Sequence, residues 1–244
     1  MLKENNYSVL SGVELMMTVF PEQEFCVQDV VPKGLVILTG EDLELVRTMA
    51  MDMCLRVVKG ERLWQMDTRQ GAVLYMIHRY NLAATRNLIL DMSDRVPDEL
   101  HIGVMPESSL ELALSGTQSF VEGQANASLV VLELCGIVEQ CGNAVYVPVG
   151  MLRQYKDLQK LAHSHGIGVV VLLRTRIVPA VQGGNEPGDL VCVTERADGH
   201  IDVCVTDPKE RRAVLRVNNP ARGTQLRSVV YDPGQHRWME ENGF

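Results

Sequence analysis

The residues best placed for chemistry stand at a strand-to-helix junction. In the stretch 33–61, KGLVILTGEDLELVRTMAMDMCLRVVKGE, an apolar run from Leu35 to Leu38 stops at Thr39-Gly40. Val46, Met49, Ala50, Met53, Cys54 and Val57 then recur at three- and four-residue steps. This pattern predicts a buried strand feeding a helix through a glycine turn. Such a junction suits an anion, because helix N-terminal amides point at it and the dipole favours negative charge there. A phosphate loop counted from Gly40 requires glycine at 45, lysine at 46 and serine or threonine at 47. The chain has Leu45, Val46 and Arg47 instead, so the permissive turn, the ammonium and the magnesium-binding hydroxyl are all missing. Glu41, Asp42 and Glu44 suit a helix N-terminus and repel nucleotide. Arg47 and Thr48 stand one residue late for lysine and serine, and one helical step is a rotation of about 100°. Leu45 and Val46 are therefore expected to pack on the sheet and leave no phosphate-sized cavity between Gly40 and Thr48.

Other candidates end the apolar runs further on. The run 72–77 stops at His78-Arg79-Tyr80. A guanidinium does not deprotonate in proteins, so Arg79 is no base, and His78 has no partner nearby in sequence. The run 129–134 contains Glu133, an acid at a strand end. Cys26, Cys54, Cys135, Cys141, Cys192 and Cys204 form no C-x-x-C pair and mostly sit in apolar runs, which reads as reduced, buried thiols rather than a zinc site. Arg174, Arg176 and the basic stretch Lys209, Arg211, Arg212, Arg216, Arg222 and Arg227 are the candidates for DNA contact, against a solvated strand face as the ordinary alternative.

The elements that must position these groups alternate strand and helix. Residues 1–32 read as a lead-in, with a short helix capped by Ser11 and an extended piece from Phe25 to Pro32, packed on the core and covering a sheet edge. Residues 33–244 read as one domain. Leu63 and Trp64 anchor a loop at 60–71. Helices are predicted over 81–92, with Leu82, Thr85, Leu88 and Ile89 on one face, over 108–122, and over 155–165, with Leu158, Leu161 and Ala162 inward. Strands are predicted over 100–104 and 167–173. The stretch 135–150 is Gly- and Val-rich, and 182–188, QGGNEPG, reads as the most flexible segment. From 189 onward the pattern is strands only, with a turn at Asp232-Pro-Gly-Gln.

At 244 residues, 46% apolar and 22% charged, the chain has the composition of a globular protein with a full core. The net charge of −8 argues against a surface that seeks nucleic acid throughout. No run is long enough to span a bilayer and the N-terminus MLKENNYSVL lacks a signal pattern, so a cytoplasmic protein is expected.

The junction at 33–61, together with GAVLYM at 71–76, SLVVLE at 128–133 and HGIGVVVLLRTR at 165–176, resembles the RecA-like ATPases of the RepA type found in plasmids, phages and mobile elements. Ala50, Asp52, Cys54, Leu55, Val57, Gly60 and Glu61 fall without a gap on that family's helix, and Val73-Leu74-Tyr75 fall on its next strand. The resemblance covers roughly residues 10 to 240 and implies an α/β, RecA-like three-layer fold: a mostly parallel central sheet flanked by helices, with a C-terminal antiparallel β-hairpin extension. It implies that Gly40, Leu45, Val46, Arg47, Thr48, Arg79 and Glu133 occupy a degenerate nucleotide site. Arg79 stands where the family has its catalytic glutamate, and Glu133 where it has a magnesium-holding aspartate. The family's sensor histidines are gone, while Thr175 and Arg176 remain. Arg174, Arg176 and Asn185 fall where nucleic acid or a neighbouring subunit is met, and 135–150 falls where the family has a polar, often mobile loop facing nucleic acid or a neighbouring subunit. The expected function is a catalytically inactive RecA-like protein, acting as a binding, assembly or regulatory component of a replication system. The alternative is a divergent NTPase or nucleotide-binding regulator. No cofactor is expected, weak ATP and magnesium binding being the alternative, and a protein partner or homo-oligomer ranks ahead of DNA.

Overall fold

The computed structural model describes residues 10–19, 22–178, 189–220 and 222–241. The lead-in holds α1 (Gly12–Met17), whose Ser11 and Glu14 form a reciprocal capping box. It buries no residue, and Met16 and Val19 are 86% and 92% exposed. The packing of the lead-in is carried instead by β1 (Phe25–Val27) and β2 (Val31–Pro32). These are not one extended piece but an antiparallel pair, turned through Asp29 at φ 59° and burying Cys26, Val27, Val30 and Val31.

The main sheet starts with β3 (Gly34–Gly40), every residue of which is buried. There follow α2 (Leu43–Lys59), β4 (Ala72–His78), α3 (Leu82–Met92), β5 (Leu100–Met105), α4 (Leu110–Gly123), β6 (Ala127–Cys141), β7 (Ala144–Pro148), α5 (Leu152–His165) and β8 (Gly168–Ile177). The chain ends in strands: β9 (Leu190–Cys192), β10 (Gly199–Asp207), β11 (Arg212–Asn219), β12 (Gly223–Asp232) and β13 (Arg237–Glu240). The order across the sheet is β13-β12-β11-β10-β3-β8-β6-β4-β5. From β10 to β5 all neighbours run parallel, and from β10 to β13 they run antiparallel. The four apolar runs at 35–38, 72–77, 129–133 and 167–173 are therefore adjacent, as expected, and a four-stranded meander rather than a single hairpin forms the C-terminal part.

Helices cover both faces. One core joins α2 and α3 to one side of the sheet, and the other joins α4 and α5 to the opposite side. Asp42 caps α2 by accepting from the Leu45 amide at 3.2 Å, and Gly60 ends it in the left-handed conformation. The apolar stripe predicted for α2 was one-sided, yet Met51, Asp52, Leu55 and Val58 are buried too. The reason is β13, which packs on the helix. The Trp238 amide donates to Asp52 Oδ2 at 2.9 Å and its indole donates to Thr48 Oγ1 at 3.2 Å.

Two further expectations need correction. The stretch 135–150 is not a loop: β6 runs on past a bulge at 133–137 to pair with the end of β8, and β7 returns antiparallel. On α3 the buried residues are Thr85, Ile89 and Met92, while Leu82 faces out. No helix among the described residues is long and apolar enough to cross a membrane.

Candidate functional site

The first turns of α2, the middle of β4 and the short turn after it, and β6 just before its bulge bring together Arg47, Tyr75, Asn81 and Glu133. Glu133 is 1% exposed, and a buried carboxylate is stable only where donors replace water. Arg47 Nε donates to Oε1 at 2.9 Å, its Nη2 makes a closer contact with the same oxygen, and Asn81 Nδ2 donates to it at 2.6 Å. Tyr75 OH donates to Oε2 at 3.3 Å. The other guanidinium nitrogen, Nη1, reaches Glu44. Burial, then the Glu133 charge, holds the Tyr75 phenol well above its ordinary range, so it remains a donor. Desolvation opposes the Arg47 charge, but the hydrogen bond and charge of Glu133 overcome it and shift the guanidinium upward. The acid that the resemblance places toward magnesium is thus tied to a cation from its own chain.

The junction itself is filled. Val46 is fully buried and Leu45 is 9% exposed. A Cβ on Gly40 would stand 2.7 Å from Val46 Cγ2, so glycine serves close packing of the helix on the strand here. The Thr48 hydroxyl is committed, donating to Leu45 O at 2.8 Å while it accepts from Trp238. Arg79 lies over the exposed Tyr80 ring at 5.1 Å, and His78 Nδ1 accepts from the Tyr80 amide at 3.3 Å.

The expected absence of a phosphate-sized cavity requires correction. A cleft of about 810 Å³ opens beside the α2 N-terminus, between the ends of β3, β8 and β10. Leu45 and Val46 close the space over the sheet but not the flank next to β10. Among the described residues, Glu41, Asp42, Glu44, Asp202 and Arg174 line this cleft; Glu44 is paired with Arg47 and Asp202 with Arg216, and Asp42 caps α2.

The candidate contact residues are largely engaged by their own chain. Arg174 Nε donates to Glu41 O at 3.3 Å and Arg176 pairs with Glu139 at 2.9 Å. Asn185 lies outside the described residues, as does the 182–188 segment. Arg212 pairs with Glu210 and Glu241, Arg216 with Asp202, Arg222 with Asp29 and Arg227 with Glu240, while Arg211 stacks over Tyr231 at 4.9 Å. Cys26, Cys54, Cys141, Cys192 and Cys204 are free thiols, and burial pushes Cys26 up to about 11. Among the described residues no group of His, Cys, Asp and Glu is arranged to hold a metal ion.

A second buried polar cluster went unnoticed in the sequence. Thr39 Oγ1 on β3 lies 2.9 Å from His200 Nε2 and donates to Asp202 Oδ1 at 3.0 Å. All three residues are buried, and His200 Nδ1 has no hydrogen-bond partner. Burial is the main cause that lowers the imidazole to about 4; Asp202 works against it and Arg216 with it. The available signal was His200 and Asp202 two apart in a strand, which puts both on one face. Their partner Thr39 is supplied by the parallel pairing of β10 with β3.

No family model matches the chain, and no curated protein matches it in sequence. Among solved structures the chain is similar to that described as the crystal structure of the RadB recombinase, with a TM-score of 0.53 and 11% sequence identity, covering 87% of this chain and 93% of that one. The fold is RecA-like. At that identity the likeness carries the fold alone, and function must be argued from the site.

Proposed function

We propose that this chain is a pseudo-ATPase: a RecA-like scaffold of RepA-type ancestry, kept for binding, that serves as an assembly or regulatory component of a plasmid, phage or mobile-element replication system. The observation that carries this reading is the occupation of Glu133 by Arg47, Asn81 and Tyr75. Phosphoryl transfer depends on positioning and on charge stabilisation by a metal, a phosphate-binding cation and a water-orienting group. Here the one acid left at the site is neutralised internally. The turn that would cradle phosphate is packed with Leu45 and Val46, and Arg79 offers no base. Its partner is a protein or a second copy of the chain rather than DNA, since the basic residues of the C-terminal strands are mostly paired with acids of their own chain.

Calorimetric titration with Mg-ATP and Mg-GTP tests the reading. No heat is expected at millimolar nucleotide. A measurable affinity lost in Arg47→Ala would overturn it in favour of a divergent NTPase. Restoring the phosphate loop with Leu45→Gly, Val46→Lys and Arg47→Ser together is expected to lower the melting temperature, to give weak nucleotide binding at most, and to yield no hydrolysis. Steady phosphate release from that triple variant would show that a base lies elsewhere, with His78 and Glu133 the first to test.

A further inference from the structure

The last strand, β13, is joined to the rest of the molecule by few groups, and its seat is poorly filled. It is four residues long, stands at the outer edge of the sheet beside β12, and buries Trp238 alone. The Trp238 amide and indole reach Asp52 and Thr48 of α2, and Arg227 of β12 pairs with Glu240. One cavity of about 200 Å³ is lined by Trp64, Arg237 and Trp238, and another of about 310 Å³ by Thr48, Pro208, Arg211 and Trp238. The strand therefore lacks contacts that a close-packed interior would give it. Three buried donors gather here without an acceptor: Trp64 Nε1, Arg227 Nε and Arg237 Nε. A buried donor left unpaired is costly, and water meets it once the strand lifts. The chain enters β13 through His236 at φ 50°, a left-handed conformation unfavourable for a residue with a Cβ.

We propose that β13 is a releasable strap, which opens as a unit ahead of the rest of the fold and frees the Thr48–Asp52 face of α2. Segments open separately when they bury little apolar surface and border solvent. β13 does both, whereas β3, in the interior of the sheet, has every residue buried. Release breaks the short β12–β13 ladder and the two Trp238 bonds, and the parallel sheet keeps its own pairing. The open state does not strand a buried charge, because Asp52 keeps Arg56 Nε at 3.0 Å while water replaces the Trp238 amide. The strap also bears on the candidate site. Thr48 follows Arg47, so Trp238 clamps the same helical turn that presents the guanidinium to Glu133. The proposal holds whether or not the chain is a pseudo-ATPase, since it rests on how β13 is seated and not on what the site binds.

Hydrogen exchange in the full natural chain reads the strap directly. The chain has two tryptophans, so labelling tryptophan with nitrogen-15 resolves the Trp238 amide, bonded to Asp52, and its indole N–H, bonded to Thr48, in one spectrum. After correction for intrinsic rates, both are expected to exchange together, at least about a hundredfold faster than the amides of β3, and with little dependence on urea because opening exposes little surface. A body variant then separates the strap from the fold. Ile37→Val trims a fully buried side chain of β3 and should speed β3 exchange several-fold by lowering global stability, while Trp238 exchange stays unchanged. Trp238 exchanging at the β3 rate with the β3 urea dependence overturns the proposal, because the strap would then open only when everything does. So does Trp238 exchange that rises with Ile37→Val by the same factor as β3. A fast amide with a protected indole also overturns it, since that is fraying of the strand and not release from α2.

Discussion

Two buried polar clusters lie on the main sheet, one on β4 and β6 and the other on β3 and β10, with β8 between them, and they are built on opposite principles. Around Glu133, a carboxylate, a guanidinium, an amide and a phenol answer one another, and Arg47 extends the network to Glu44. Around His200, the hydroxyl of Thr39 serves both the imidazole and Asp202, and Nδ1 is left with nothing. The first cluster is charge-compensated and closed. The second is incomplete and titratable. Buried polar groups are tolerated only when satisfied, so the first serves as a structural plug between α2 and the β4–β6 part of the sheet. The second holds a group whose protonation the fold resists.

The largest expected effect comes from opening the closed cluster. Arg47→Met leaves Glu133 buried beside Asn81 and Tyr75 without its cation, and breaking a buried pair from one side costs about 3–5 kcal/mol. Arg47→Met with Glu133→Leu removes both charges and should recover most of that loss, because paired removal by apolar groups is near neutral. Urea unfolding of the two single variants and the double reads the coupling directly. Additive losses would mean that Arg47 stabilises the α2 N-terminus through Glu44 instead, and the plug would no longer explain the site.

The open cluster should answer to pH. His200 is held near 4 by burial against an ordinary 6.5. Below pH 6.5 the unfolded chain takes up a proton that the folded chain refuses until about 4. Stability from this group is therefore complete above 6.5 and is lost as pH falls toward 4, by on the order of 3 kcal/mol. Urea midpoints between pH 7.5 and 4.5 should drop for the natural chain, and His200→Gln should flatten the drop across that window. A drop that survives in His200→Gln would place the acid sensitivity elsewhere.

Much of this was legible in the residues themselves, for reasons of pattern. Fully buried parallel strands show as continuous apolar runs, so the strands now labelled β3, β4, β6 and β8 were readable, and so were α2 and α5 from their periodicity. At 135–150 the resemblance implied a loop, but Gly136 lies at the bulge that lets β6 continue, and Gly142 turns the chain into β7. The buried outer face of α2 could not be read, because Trp238, some 186 residues from Asp52, supplies the cover. The same limit hid the chemistry of the site. Glu133 and Arg47 could each be picked out by position, but their pairing spans 86 residues and exists only once β6 lies beside β4 under α2. Thr39 and His200, 161 residues apart, meet through the β3–β10 pairing, which no local pattern announces.

The smallest expected effect tests how the closed cluster divides its work. Oε1 of Glu133 receives Arg47 and Asn81, whereas Oε2 is held by Tyr75 at 3.3 Å. That separation is long for a hydroxyl donor, whose usual range ends near 3.0 Å. A hydrogen bond to a charged group contributes about 1.5–3 kcal/mol at good geometry, so Tyr75→Phe should fall below that range, at about 1 kcal/mol. The aromatic ring stays in the core and no cavity opens, which isolates the hydroxyl. If Arg47 is the dominant partner, the Tyr75→Phe loss should shrink further in the Arg47→Met, Glu133→Leu background, since the phenol then has no charge to meet. A loss of about 3 kcal/mol or more in the single variant would reverse the ranking. It would make the phenol, not the guanidinium, the group that keeps Glu133 inside.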